Sequence, residues 1–461
     1  MKIDRRRGAG VAALAALALA GCATADPAAT VSATGRTLAA KGIAGVDWRR
    51  DEAAVADALA LSRELLAAPL TAESAAEVAL LRSPALQAAL AELGVAQADL
   101  AQATRLANPG LSFSTLKGGG HEQTTTGLFA DVVDWLTQPL RKRLAEGELE
   151  RVKLEVGAAV LEQVIAAKLA LVELQAAEAL AERLAVIEQI DRAAADYAQA
   201  LRAAGNLTAL ERANAEAGWA ETWGEAGEAR AEAARRREAV VRALGLSGVE
   251  TWSVAPLEDL PPAPEVGPAE LEAFAVDERL DLAAARWAVD ALERARKLHR
   301  RTRWLPVGVE LGWERERDIA ETTIEGPTVE LALPIFDTGR ASLARHDAEI
   351  ARGRAQLASL EIAVRSEVRE KAGDLAAAHE LATHYRDSLL PLRFEVLEGT
   401  LREYNQMVSG TFDVLIAKQE QIDAERRYLR ALAGAWAARI ELDRAVGTLV
   451  TTQRTAVGGG R

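Results

Sequence analysis

Residues 328–340 read Thr328-Val329-Glu330-Leu331-Ala332-Leu333-Pro334-Ile335-Phe336-Asp337-Thr338-Gly339-Arg340. Val329, Leu331 and Leu333 alternate with Thr328, Glu330 and Ala332, which puts apolar groups on one face of a strand. Pro334 ends the alternation. Beyond Gly339 the period changes: Leu357, Leu360, Val364, Val368, Ala372 and Leu375 fall on one helix face. Upstream, Val307, Val309, Leu311 and Trp313 alternate with Gly308, Glu310 and Gly312, a second strand. Two short strands therefore feed a very long helix. The fold class is mainly α with a small β part.

The same order occurs in the first half of the chain. Leu149, Val152, Val156, Val160, Val164, Ala167, Leu171 and Leu174 mark a helix face after a strand at Leu111-Ser112-Phe113-Ser114. A further strand is expected at about 123–136, although Val132-Val133 breaks its alternation. Leu86 matches Leu282, Pro109 matches Pro306, Gly205 matches Gly410 and Gly245 matches Gly447. The chain is a duplicated helix-strand-strand-helix repeat. The first repeat is 71–247 and the second 269–448. Between them, 248–268 is a linker carrying Pro256, Pro261, Pro262, Pro264 and Pro268. After Pro139 no proline interrupts the chain before Gly205. About 65 helical residues would span about 98 Å. A helix that long needs neighbours along its length, hence coiled-coil packing. Its many alanines allow close approach on a second face. Pro391 should bend or interrupt the second long helix.

Composition bounds the function. The chain has 461 residues and a formal net charge of −13, which argues against a nucleic-acid partner. One cysteine excludes a disulfide framework and a cysteine-built metal site. Residues 1–21 join Lys2, Arg5, Arg6 and Arg7 to a short apolar stretch from Ala9 to Ala20, the pattern of a secretory signal. Leu19-Ala20-Gly21-Cys22 resembles the lipobox of bacterial lipoproteins, in which the cysteine carries lipid. Ala23 follows in place of the Asp that would resemble an inner-membrane retention signal, so the outer membrane is the expected destination. Residues 22–70 would be the lipid-anchored N-terminal segment and 449–461 a flexible tail.

About four strands per chain cannot close a membrane barrel, which needs about eight or more, and bilayers do not tolerate open edges. Several chains must pool their strands into a symmetric ring. At this point the sequence resembles the TolC-type outer membrane factor family, specifically the lipoprotein branch of tripartite efflux systems of the resistance-nodulation-division type. The likeness is carried by Ser83-Pro84-Ala85-Leu86, Ala107-Asn108-Pro109-Gly110-Leu111, Leu333-Pro334-Ile335-Phe336-Asp337-Thr338-Gly339-Arg340 and Gly410-Thr411-Phe412-Asp413-Val414-Leu415-Ile416-Ala417. It covers about 70–448. It implies a homotrimer with an outer-membrane β-barrel above a long periplasmic α-helical barrel. It also implies a periplasmic adaptor and an inner-membrane pump as partners, and passive conduction of drugs or metal ions without catalysis.

The periplasmic tips should lie near Gly205-Asn206-Leu207-Thr208 and Ser409-Gly410-Thr411-Phe412-Asp413, where glycine permits the turn. By resemblance, Asp413 would ring the pore and favour cations; alternatively it caps the returning helix. Ile416 stands where relatives often have a second acid, and Thr208 is read as the first-repeat counterpart of Asp413. Tyr404 would hydrogen-bond across helices or simply pack. Trp219 and Trp223 share a helix face, for packing or an equatorial contact. The Arg235-Arg236-Arg237 run reads as a solvated, salt-bridged face. The five histidines form no ligand pattern, so no metal or cofactor is expected, and no catalytic constellation is visible. Two other readings remain: a lipid-anchored periplasmic adaptor, or a coiled-coil envelope scaffold without a pore.

Overall fold

The structure is a computed structural model describing residues 27–118, 121–247, 250–263, 266–303, 308–317, 323–332, 336 and 338–449. Cys22, the tail after 449 and most of the block at 333–337 lie outside these residues. Helices α1 (Ala28–Ala40), α2 (Glu52–Leu66), α3 (Ala72–Arg82) and α4 (Pro84–Ala103) precede strands β1 (Gly110–Gly118) and β2 (His121–Asp131). Helices α5 (Val132–Ala203) and α6 (Ala209–Leu244) form the first hairpin. After α7 (Pro268–Glu278) and α8 (Leu280–Thr302) come β3 (Gly308–Arg317) and β4 (Thr323–Ala332). The second hairpin is α9 (Arg340–His384), a π turn at Tyr385–Leu389, α10 (Leu390–Asn405) and α11 (Thr411–Val446). The chain forms two compact units, and each draws on both repeats.

One unit holds Leu90–Val156 and Asp281–Leu360, with the chain up to Thr34. Its sheet runs β1-β2-β3-β4, antiparallel throughout. Strand β2 stops at Asp131, short of the expected 136, because that residue starts α5. Asp131 Oδ1 accepts from the backbone N–H of Val133 at 2.8 Å and of Asp134 at 3.2 Å, satisfying two donors of the first turn. The Val132-Val133 break in alternation is thus the first turn of a helix. That helix is 72 residues long and runs through Pro139, contrary to a start after it.

The other unit holds Gly35–Ala89, Gly157–Leu280 and the chain from Glu361 onward. One core cluster joins Leu66, Leu70, Ala75 and Val78 to Ala167, Leu171 and Leu174 of α5 and to Val240 and Leu244 of α6. Each fully buried leucine there contributes about 1.5–3 kcal/mol. The repeat is visible in its joints. A single extended residue breaks α3 from α4 (Ser83, ψ 116°) and α7 from α8 (Arg279, ψ 127°). Each break packs on the left-handed glycine that ends a return helix. A Cβ on Gly245 would lie 2.8 Å from the Arg82 carbonyl oxygen; one on Gly447 would lie 2.9 Å from Arg279 Cγ. Both return helices are 36 residues long.

The Pro-rich linker is pinned rather than loose. Trp436 Nε1 donates to the Asp259 carbonyl at 3.0 Å, and Arg439 Nη1 to that of Pro262 at 3.0 Å. In the arginine run, Arg235 and Arg236 pair with Glu232 as expected of a solvated face. Arg237 departs from that reading, since its guanidinium stacks 4.0 Å over the Trp252 ring and bonds the Trp252 carbonyl. Pro391 interrupts the second long helix as expected. It lacks an N–H and crowds the carbonyl one turn back, so the backbone opens into the π turn just before it.

Candidate functional site

Two surfaces stand out, one in each unit. The first is the sheet. Its strands are 9, 11, 10 and 10 residues long, the length that crosses a bilayer when tilted. Residues opposite one another share a face. The register places Leu111, Leu128, Trp313 and Pro327 in one row. The row of Ala130, Leu311 and Val329 lies beside it on that face. This face is bare in the protomer, with Leu111 73% and Phe113 70% exposed. Towards the hairpin turns it ends in ion pairs, Lys117 with Glu122 at 2.9 Å and Arg315 with Glu325 at 2.6 Å. An apolar band bounded by charge is the pattern of a lipid-facing strand surface.

The opposite face is mostly polar or small, with Leu116, Phe129 and Ile324 as its large apolar side chains. Ser112, Gly127, Glu314 and Gly326 form one row. Asp131, Glu310 and Glu330 form another, three carboxyl groups directly opposed on adjacent strands. Like charges so placed repel, while Asp131 also caps the first turn of α5. Among the described residues, strands β1 and β4 each have one neighbour, which leaves two open edges. Among the described residues no single helix is long and apolar enough to cross a membrane.

The second surface is the pair of hairpin turns. In the first, Gly205 N–H donates to the Arg202 carbonyl at 3.0 Å and Asn206 N–H to that of Leu201 at 2.9 Å. In the second, Met407 N–H donates to the Tyr404 carbonyl and Val408 N–H to that of Glu403, both at 2.9 Å. The turns are superimposable in their bonding, and this corrects the matching by residue type. The partner of Gly205 (φ 79°) is Met407 (φ 60°), not Gly410, whose φ of −87° is ordinary. Gly410 instead corresponds to Thr208, since both are the N-caps of return helices.

Glu211 is therefore the counterpart of Asp413, and both turns carry a carboxylate at the third helical position. Thr208 N–H donates to Glu211 Oε2 at 2.8 Å, and Glu211 N–H to Thr208 Oγ1 at 3.2 Å. Bonds from the Thr208 hydroxyl and backbone N–H hold the Glu211 carboxyl below the usual range. Asp413 Oδ2 accepts from Gly410 N–H at 2.8 Å, which gives it the capping role. Tyr404 supplies a carbonyl to the turn, while its ring stays 42% exposed. The capping-box spacing Thr208-Ala209-Leu210-Glu211 was the signal for Glu211.

Above the turns, a cleft of about 580 Å³ lies between α5, α6 and α11. Asp191 faces it and has no sequence signal. Its Oδ2 accepts from the Thr222 hydroxyl and from Gln419 Nε2 at 3.2 Å. Burial pushes the Asp191 carboxyl above its ordinary range; the Thr222 bond opposes the shift and the Asp423 charge adds to it. Among the described residues no cluster of three or more His, Cys, Asp or Glu is arranged to hold a metal ion.

No family model and no curated protein matches the chain. Solved structures do match it in shape. A membrane protein from Pseudomonas aeruginosa superimposes with a TM-score of 0.67 at 18% identity, over 82% of this chain and 93% of that one. CusC, solved in work on folding and transmembrane channel formation, gives 0.66 at 15% identity, over 82% and 92%. The open state of the MtrE outer membrane channel of Neisseria gonorrhoeae gives 0.64 at 20% identity, over 82% and 89%. The chain shares the fold of these membrane proteins, the MtrE outer membrane channel among them.

Proposed function

We propose that the protein is an outer membrane factor of the TolC type, the exit channel of a tripartite efflux pump. The observation that carries the reading is the sheet: bilayer-length strands, a bare apolar face, and two unpaired edges that lipid does not tolerate. Three chains would supply twelve strands, above the minimum of about eight for closure. The apolar face then meets lipid and the face with Asp131, Glu310 and Glu330 lines the lumen. A periplasmic adaptor and inner-membrane pump would engage the helical part, and Cys22 would anchor the chain to outer membrane lipid.

The channel performs no chemistry. Its selectivity is electrostatic. Carboxylate rows in the lumen, and Asp413 and Glu211 at the turns, favour cations over anions in a narrow pore. Conductance in planar bilayers tests this. The purified protein should form cation-preferring pores that divalent cations block, and Asp413→Asn, which keeps a capping side chain, should weaken the block. A protein that stays monomeric in detergent and opens no pore would overturn the channel reading. An unchanged block would remove Asp413 from the pore. Loss of palmitate labelling in Cys22→Ser would support the anchor.

A further inference from the structure

The four strand ends nearest the helices lie together. Gly110 pairs with Phe129, Asp131 with Glu310 and Gly308 with Ala332, so α4, α5, α8 and α9 all meet the sheet at one rim. Polar contacts join these crossings in two pairs. Gln138 Nε2 donates to the Thr104 carbonyl at 2.7 Å, and Ala107 N–H to Asp134 Oδ2 at 3.1 Å, which fixes the end of α4 beside the start of α5. His299 Nε2 lies 3.4 Å from the Gly339 carbonyl oxygen, which sets the end of α8 beside the start of α9. All these residues belong to the unit that holds the sheet.

Basic side chains gather at this rim in a chain whose formal charge is −13. Arg105 follows α4, Arg143 lies on α5, Arg300 and Arg301 are in the last turn of α8, and Arg340 opens α9. All five are exposed, and none forms an ion pair among the described residues, whereas their neighbours Arg141 and Lys142 pair with Asp134 and Glu146. The helix dipole accounts for cations at the end of α8. It does not account for Arg340, which stands at the positive end of α9, where the first turn holds no acidic residue. Exposed apolar side chains stand among the arginines: Leu106, Trp135, Leu136 and Phe336, the last 99% exposed. The far end of the sheet is unlike this rim, because Lys117 and Arg315 are matched there by Glu122 and Glu325.

Guanidinium groups take phosphate in paired hydrogen bonds, and indoles settle where hydrocarbon meets headgroups. An apolar strand face that ends in such a rim matches one leaflet in cross-section, with acyl chains against the strands and phosphates level with the arginines. A zwitterionic headgroup brings its own ammonium, which offsets the attraction; an anionic headgroup does not. We propose that the rim binds anionic phospholipid in the leaflet on the helix side of the sheet. Arg105, Arg143, Arg300, Arg301 and Arg340 hold the phosphates, and Leu106, Trp135, Leu136 and Phe336 enter the acyl layer. The site rests on the outer membrane reading and adds the class of lipid that the protein retains.

The test reconstitutes the full chain in vesicles of equal phosphatidylglycerol and phosphatidylethanolamine, extracts it in mild detergent and counts the retained lipids by native mass spectrometry. Phosphatidylglycerol should be enriched. The triple variant Arg300→Gln, Arg301→Gln, Arg340→Gln should lower the enrichment by about fivefold for each arginine removed. Arg315→Gln, at the far end of the sheet, should leave it unchanged. Added sodium chloride should lower the enrichment in the unsubstituted protein, which tests the site even where the triple variant does not fold. At matched ionic strength, inorganic phosphate should compete no better than chloride, because it has no acyl chains. Equal retention of the two lipids would overturn the site, as would enrichment that ignores salt, survives in the folded triple variant, falls equally in Arg315→Gln or yields to inorganic phosphate. If the same preparation opens pores in planar bilayers, the channel reading stands without the site. A monomer that opens no pore overturns both.

Discussion

The two hairpins share a plan and differ in how firmly it is held. Their turns repeat the same hydrogen bonds, and their return helices are equal in length and end on left-handed glycines. The first has an uninterrupted outgoing helix, a glycine at the left-handed turn position and a threonine cap with a reciprocal glutamate. The second has a π turn before Pro391, a methionine at the left-handed position and a glycine cap. The two repeats share geometry, while the second lacks the local residues that stiffen the first. Motion in the helical unit is therefore expected to concentrate in the second hairpin.

The largest effect should come where the halves are most alike. Gly245→Ala forces a Cβ against the backbone carbonyl of Arg82 at a positive φ, and should cost about 3 kcal/mol. Gly447→Ala meets first the flexible side chain of Arg279, and should cost about 2 kcal/mol. Urea unfolding of the solubilised protein measures both, and equal costs would mean that the two joints are packed alike. A smaller effect, of opposite sign, is expected at the turns. Met407→Gly should stabilise by about 1 kcal/mol by releasing the strained φ, while Gly205→Met should destabilise by a similar amount. If both are neutral, the turns do not differ in strain.

The smallest effect lies where the hairpins touch. The Asp191 carboxyl has a raised pKa, so the folded state holds its proton to higher pH than the unfolded chain. Its ionisation therefore weakens the fold as pH rises through the window above the ordinary Asp value of 3.8. Asp191→Asn should raise the melting temperature at pH 7 by about 1–2 °C and lose that advantage on acidification below the folded-state pKa. A gain that persists at low pH would place the effect elsewhere.

Much of this fold was legible in the sequence because period and punctuation are local. The alternation at Val309–Trp313 and at Val329–Leu331 marked strands, and Pro391 marked the helix break. The turns were misread for a physical reason. Glycines were matched by type, whereas the backbone places methionine in the left-handed conformation and uses Gly410 as a cap. The start of α5 was missed because Asp131 serves as both strand end and cap. Asp191 left no trace, since its neighbours Thr222 and Gln419 come from helices far apart in sequence.

The methionine at the second turn has a practical use. The sequence holds only Met1 and Met407, and the expected leader cleavage removes the first. Met407 is 94% exposed. Carbon-13 labelling of methionine methyl groups would then give the mature protein one resonance, reporting the turn without any engineered tag. Cyanogen bromide would cut the same chain at that one bond.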